Sequence, residues 1–204
     1  LENNNFIVKR EKCEFFQKEI GFLGFVVNEQ GVKTDPKKVV AINSLKAPNN
    51  VSEERSFLGL SGFYRKFVPA YAEIALPLTA LLKEDKEFTW GPKEQLAFEQ
   101  LKNCLICAPV LKLPNFGQKF IVTCDASGFA IAGILAQVHG GMEMPVAYES
   151  RKLTPAETNY PIHELELLAI VHCLKTWRCY VEGSEVVVKT DHASLRFLKT
   201  QKHL

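Results

Sequence analysis

The chain has 204 residues, 47% of them hydrophobic and 24% charged, with a formal net charge of +2. That balance excludes a charge-dominated disordered tail and leaves room for one large domain or two small ones, each with a buried core. So small a surplus does not by itself argue for nucleic acid, although Lys9, Arg10, Lys12 and Lys18, then Lys33, Lys37, Lys38 and Lys46, make the first part locally basic.

Residues 6–27 are rich in Phe, Ile and Val and predict short strands, with Asn28 to Gly31 as the turn that closes a hairpin. Asp35 before Pro36 is an N-cap followed by a first helical position, and Val39, Val40, Ile42 and Leu45 supply an apolar stripe. Asn50 with Glu53 approximates a capping box for a second helix carrying Phe57, Leu58, Leu60 and Phe63. Pro77 is expected to interrupt the next helical stretch, and Pro92 to open another in which Ala97, Leu101, Cys104 and Leu105 share a face.

From about residue 117 the pattern turns to strands. Phe120 to Cys124 reads as a strand, Gly128 and Gly133 loosen the next stretch, and Ile134 with Leu135 forms a second strand. Val146 to Tyr148 is a third. Thr154 with Glu157 caps a short turn, Pro161 restarts a helix expected to run to about Tyr180 and stop at Gly183, and Glu185 to Thr190 is the fourth strand. A further helix is expected over 192–199.

The six cysteines include one C-x-x-C pair, Cys104 and Cys107, with no second pair or His couple at zinc spacing, so reduced and mostly buried thiols are expected. No secretory signal or bilayer-length apolar run is present, which predicts an intracellular protein with no membrane partner.

Three acids carry the chemistry. Asp125 and Asp191 end strand-like runs and Glu166 lies in a helix-like one, so a sheet crossed by one helix can bring three hard oxygen ligands together for Mg²⁺ or Mn²⁺. Asp125 also fits a turn cap through Ser127 and Gly128, and Asp191 the N-cap of a helix beginning near His192. Glu164 and Glu166, two positions apart, face nearly opposite ways on a helix; periodicity leaves open which of them looks into a site.

The segments Phe-Ile-Val-Thr-Cys-Asp-Ala-Ser, His-Glu-Leu-Glu-Leu-Leu-Ala-Ile and Val-Val-Val-Lys-Thr-Asp-His resemble the ribonuclease H domain of gypsy-type long-terminal-repeat retroelement polyproteins. Upstream, Lys12-Cys13-Glu14-Phe15-Phe16, Phe22-Leu23-Gly24-Phe25, Ser56-Phe57-Leu58-Gly59-Leu60, Phe63-Tyr64-Arg65-Lys66-Phe67 and Pro77 to Leu82 resemble the end of that family's reverse transcriptase palm and its thumb. Ala97-Phe98, Leu101-Lys102 and Ala108 to Leu111 resemble the joint between the two.

The resemblance implies an α+β fold: a short β-hairpin, a helical thumb-like region, then an incomplete ribonuclease H-like mixed sheet with helices. It divides the chain into a palm remnant with a primer-grip-like hairpin (1–46), thumb-like helices and connector (47–116), and a C-terminally truncated ribonuclease H-like domain (117–204). It implies Asp125, Glu166 and Asp191 as catalytic metal ligands, Glu166 being chosen because the family's acid immediately precedes Leu-Leu-Ala. Two Mg²⁺ or Mn²⁺ ions would serve the complete site, hydrolysing the RNA strand of an RNA–DNA hybrid.

Phe22 and Gly24 would lie at the primer end, Arg55, Arg65 and Lys66 near duplex phosphates, and His192 beside the substrate; ordinary surface charge explains the three basic residues equally well. The implied partners are hybrid, primer–template duplex and the rest of a polyprotein, namely palm, fingers, the remainder of the ribonuclease domain and integrase, in the cytoplasm or a virus-like particle. No Asp-Asp pair occurs, so the family's polymerase metal motif is missing, and His192 to Leu204 contain no acid that could be its fourth ribonuclease ligand. The expectation is a piece of a longer RNA-directed DNA polymerase with endonuclease activity; the alternative is a non-catalytic, decayed or structural nucleic-acid-binding fragment.

Overall fold

The computed structural model describes residues 13–83 and 87–191, together with Ile7, Lys9, Glu11 and Leu195. Turn chemistry sets its first sheet. Strands β1 (Glu19–Phe22), β2 (Phe25–Asn28) and β3 (Gly31–Thr34) form an antiparallel meander. Leu23 and Gly24 turn the first hairpin with φ of 48° and 79°, and the Asn28 side chain accepts from the Gln30 amide at 2.9 Å in the second. The strands expected before residue 19 are not found among the described residues. Gly31 matters for a long-range reason: a Cβ there would stand 2.0 Å from the Leu111 carbonyl. Its absence lets Val32 and Leu111 exchange backbone hydrogen bonds of 2.7 and 2.8 Å.

The helices start where their caps dictate. In α1 (Pro36–Asn43) the Asp35 carboxylate accepts from the Lys37 amide. The expected stripe is narrower than its sequence, since Ile42 is buried while Val40 is 71% exposed. In α2 (Val51–Phe63) Asn50 accepts from the Glu53 amide, and the Glu53 carboxylate reaches back to the Asn49 amide. A 3₁₀ turn (Arg65–Phe67), α3 (Tyr71–Ile74) and α4 (Leu76–Leu81) follow. Pro77 sits in the first turn of α4, where its missing N–H costs nothing, so it opens that helix instead of interrupting one.

Helix α5 (Pro92–Ile106) turns Ala97, Phe98, Leu101 and Leu105 inward. With Phe57, Tyr64, Phe67, Leu78 and Leu111 they make the first core, against which Phe25 and Val32 pack from the small sheet. Burying each large apolar side chain is worth about 2–3 kcal/mol, so this core holds the helices and meander together.

The second sheet has the order β6-β5-β4-β7, built from β4 (Phe120–Ala126), β5 (Ala130–His139), β6 (Met142–Lys152) and β7 (Val186–Lys189). The first three strands are antiparallel neighbours, and β7 lies parallel to β4. A parallel neighbour requires a crossover, supplied by α6 (Ile162–Thr176) and α7 (Arg178–Val181). These form two helices where one was expected, because the chain leaves helical geometry at Trp177, whose ring is buried in the second core.

Gly133 does not loosen β5, which runs through it; the residue is small because α6 lies on it. Buried Gln137 fastens the connector to β5, accepting from the Asn115 amide and donating to the Asn115 and Gln118 carbonyls. Of the cysteines, Cys124 and Cys173 are buried, but Cys107 and Cys179 are exposed, against the expectation of mostly buried thiols. Among the described residues no helix is long and apolar enough to cross a membrane. The fold is thus mixed α+β with two sheets, as the sequence predicts.

The helical region meets the second sheet along β6. Ser150 is the centre of this joint: its hydroxyl accepts from the Ala72 amide at 2.9 Å and its carbonyl accepts from Arg65. Arg65 also pairs with Glu149 at 3.3 Å, Lys152 donates to Thr79, and the Lys112 amide donates to the Pro145 carbonyl at 2.8 Å.

Candidate metal centre

Parallel register puts two acids at one end of the sheet. Thr123 lies opposite Lys189, and Asp125 and Asp191 each stand two residues further on. Helix α6 crosses above with Leu165, Glu166, Ala169 and Cys173 buried. Spacings of three and four residues place Glu166, Ala169 and Cys173 in one row on the face turned to the sheet. One ligand oxygen from each of Asp125, Glu166 and Asp191 lies within 4.8 Å of the others.

Glu166 is the buried member, 2% exposed, while both aspartates are exposed. Its oxygens accept from the Ala126 amide at 3.3 Å and the Thr190 hydroxyl at 3.4 Å. Burial foremost, then the charges of Asp191 and Asp125, push its carboxyl above the usual range. A divalent cation would relieve that repulsion, and three carboxylate oxygens are the donors a hard ion takes, so the residues fit Mg²⁺ or Mn²⁺. Glu164 lines a groove on the opposite side of α6 with Tyr160, Leu167 and Val171.

Sequence reasoning missed the two groups that orient Glu166. A backbone amide carries no residue signature, and Thr190 is marked only by standing beside Asp191.

The residues expected near nucleic acid are scattered. Phe22 is 59% exposed at the first hairpin, and the Gly24 carbonyl accepts from the Tyr64 hydroxyl at 2.9 Å. Arg55 is exposed on α2. Arg65, in contrast, is turned toward β6 by Ser150 and Glu149, and its guanidinium lies 5.7 Å from the Tyr71 ring centre. Lys66 places its ammonium 3.8 Å from the Phe25 ring centre, and burial lowers its pKa. His192 lies outside the described residues.

Residues 90–188 match the family described as the RNase H-like domain found in reverse transcriptase. Over 203 residues the chain is 43% identical to the retrovirus-related Pol polyprotein from transposon 297 of Drosophila melanogaster, covering 99% of this chain and 19% of that polyprotein. It is 37% identical over 198 residues to the transposon Tf2-3 polyprotein of Schizosaccharomyces pombe, covering 96% and 15%.

Among solved structures, a foamy viral protease-reverse transcriptase dRH in complex with double-stranded DNA matches with a TM-score of 0.77 at 25% identity, over 92% of this chain and 34% of that one. The foamy viral protease-reverse transcriptase in complex with an RNA/DNA hybrid matches at 0.74 and 25%, over 95% and 27%. The molecule therefore carries an RNase H-like domain of the reverse transcriptase kind. Its homologues are Pol polyproteins of transposons, and it spans less than a fifth of the length of these two curated relatives.

Proposed function

We propose that this chain supplies three metal ligands of a ribonuclease H site, within a retroelement polyprotein that hydrolyses the RNA strand of RNA–DNA hybrids. The observation that carries the reading is the convergence of Asp125, Glu166 and Asp191, from two parallel strand ends and one helix, to within 4.8 Å. Bound Mg²⁺ or Mn²⁺, two ions in the complete site, would supply an activated water and charge neutralisation at the departing oxygen.

The chain's own residues do the positioning. The Ala126 amide and the Thr190 hydroxyl hold the Glu166 carboxylate toward the aspartates, and the exposure of Asp125 and Asp191 leaves the site open to a duplex. The foamy viral neighbours that hold double-stranded DNA and RNA/DNA hybrid support a duplex partner here as well. Hybrid, primer–template duplex and the remaining polyprotein domains are the partners of this reading.

Metal linkage tests it. Mn²⁺ or Mg²⁺ should raise the melting temperature of the chain, Glu166→Gln should abolish the rise, and Glu164→Gln should keep it. The reverse pattern for the two glutamates would overturn the ligand assignment.

A further inference from the structure

A second charged feature lies at the joint between helices and sheet. A cavity of about 230 Å³ is lined by Arg65, Tyr71, Thr79, Arg151 and Lys152 among others. Its cations exceed its anions. Glu149 pairs with Arg65 at 3.3 Å and Glu157 with Arg151 at 2.7 Å, which leaves Lys152 with the neutral Thr79 hydroxyl as its hydrogen-bond partner. Exposed Lys83 adds a further positive charge close enough, with burial, to lower the pKa of Lys152. An anion entering the cavity would remove both penalties.

The strand register relates this cavity to the three acids. Asp125 lies opposite Ala132 and Ala132 opposite Ser150, so the three form one row on one face of the sheet. Ser150 meets Ala72, itself a cavity wall. Two interstrand steps of about 4.8 Å separate the backbones of Asp125 and Ser150 by roughly 10 Å. That distance lies within the footprint of one duplex.

We propose that the cavity bounded by Arg65, Arg151 and Lys152 holds one backbone phosphate of the same duplex whose RNA strand lies at Asp125. The contact reads no base and sets how the duplex lies across the sheet. It rests on the ribonuclease reading and adds to it a place where the duplex is held.

The test is the salt dependence of binding between the chain and a short RNA–DNA hybrid, followed by fluorescence anisotropy. Each neutralised phosphate contributes a slope of about −0.9 to log K against log salt. Lys152→Gln should reduce the magnitude of that slope by about one, equally for hybrids of unrelated sequence, and Lys152→Arg should leave it near wild type. Should Lys152→Gln lower the melting temperature by more than about 5 °C, exposed Lys83→Gln carries the test with the same direction of change. An unchanged slope in the charge-removing variant, or an equal loss in Lys152→Arg, would overturn the phosphate site alone. A wild-type chain that does not bind hybrid at any salt would take down the ribonuclease reading together with it.

Discussion

Gly133 lies directly beneath Cys173: a Cβ built on the glycine would stand 2.3 Å from the cysteine Sγ and 3.2 Å from the Trp177 ring. Helix α6 thus rests on the sheet here without an intervening side chain, and Glu166 lies two turns earlier on the same face. Gly133→Ala should therefore destabilise the protein by about 1–3 kcal/mol through overpacking. Cys173→Ala in the same background should recover part of the loss, because the clash is with the sulfur. Urea unfolding of the single and double variants measures the coupling.

A buried acid makes the helical region pH-sensitive. Glu54 on α2 is fully buried, and neither carboxylate oxygen has a hydrogen-bond partner among the described residues. Burial, then the charge of Glu94, raises its carboxyl from 4.5 to about 7. A raised folded pKa means the fold prefers the neutral acid. Stability should fall as pH rises from 4.5 toward 7 and then level off. Glu54→Gln should stabilise the protein by roughly 1–3 kcal/mol at pH 8 and change little at pH 4, by thermal melts at both values.

The opposite sign holds at the turn before α6. Glu157 accepts from both terminal nitrogens of Arg151, at 2.7 and 2.8 Å, and from the Thr154 amide at 2.8 Å. Its carboxyl is held down from 4.5 to about 2, first by Arg151 and then by Thr154. The stability it confers is present above 4.5 and is lost as pH falls toward 2. Glu157→Gln should lower the melting temperature at pH 7, and the difference should vanish near pH 2.

How far the sequence announced this structure depends on the range of the interaction concerned. Asp35 with Pro36, Asn50 with Glu53, and Thr154 with Glu157 are local signals whose partners lie within four residues, and the structure uses each, with Glu53 reaching one residue past the cap to the Asn49 amide. Gly133 and Gly31 misled or stayed silent because their contacts, Cys173 and Leu111, are distant in the chain. Arg65 could not be recognised as a joint residue without Ser150, which is 85 positions away.

At the candidate site, helical periodicity left Glu164 and Glu166 as alternatives, and family resemblance favoured Glu166. The fold places that residue with the two aspartates. Glu54 carried no signal, since a Glu beside Glu53 and Arg55 looks like an exposed face.

If the three converging carboxylates serve metal-dependent cleavage of hybrid RNA, the cut strand itself will show it. A polyprotein that includes this chain, given an end-labelled RNA strand annealed to DNA, should cut the RNA only when Mg²⁺ or Mn²⁺ is present. Asp125→Asn should reduce the rate at least about 100-fold, a loss of nearly 3 kcal/mol in transition-state stabilisation, while leaving the melting temperature in chelator unchanged or higher. Cleavage at the wild-type rate by Asp125→Asn, or tight hybrid binding by the wild type with the RNA left whole at every metal concentration, would contradict that role.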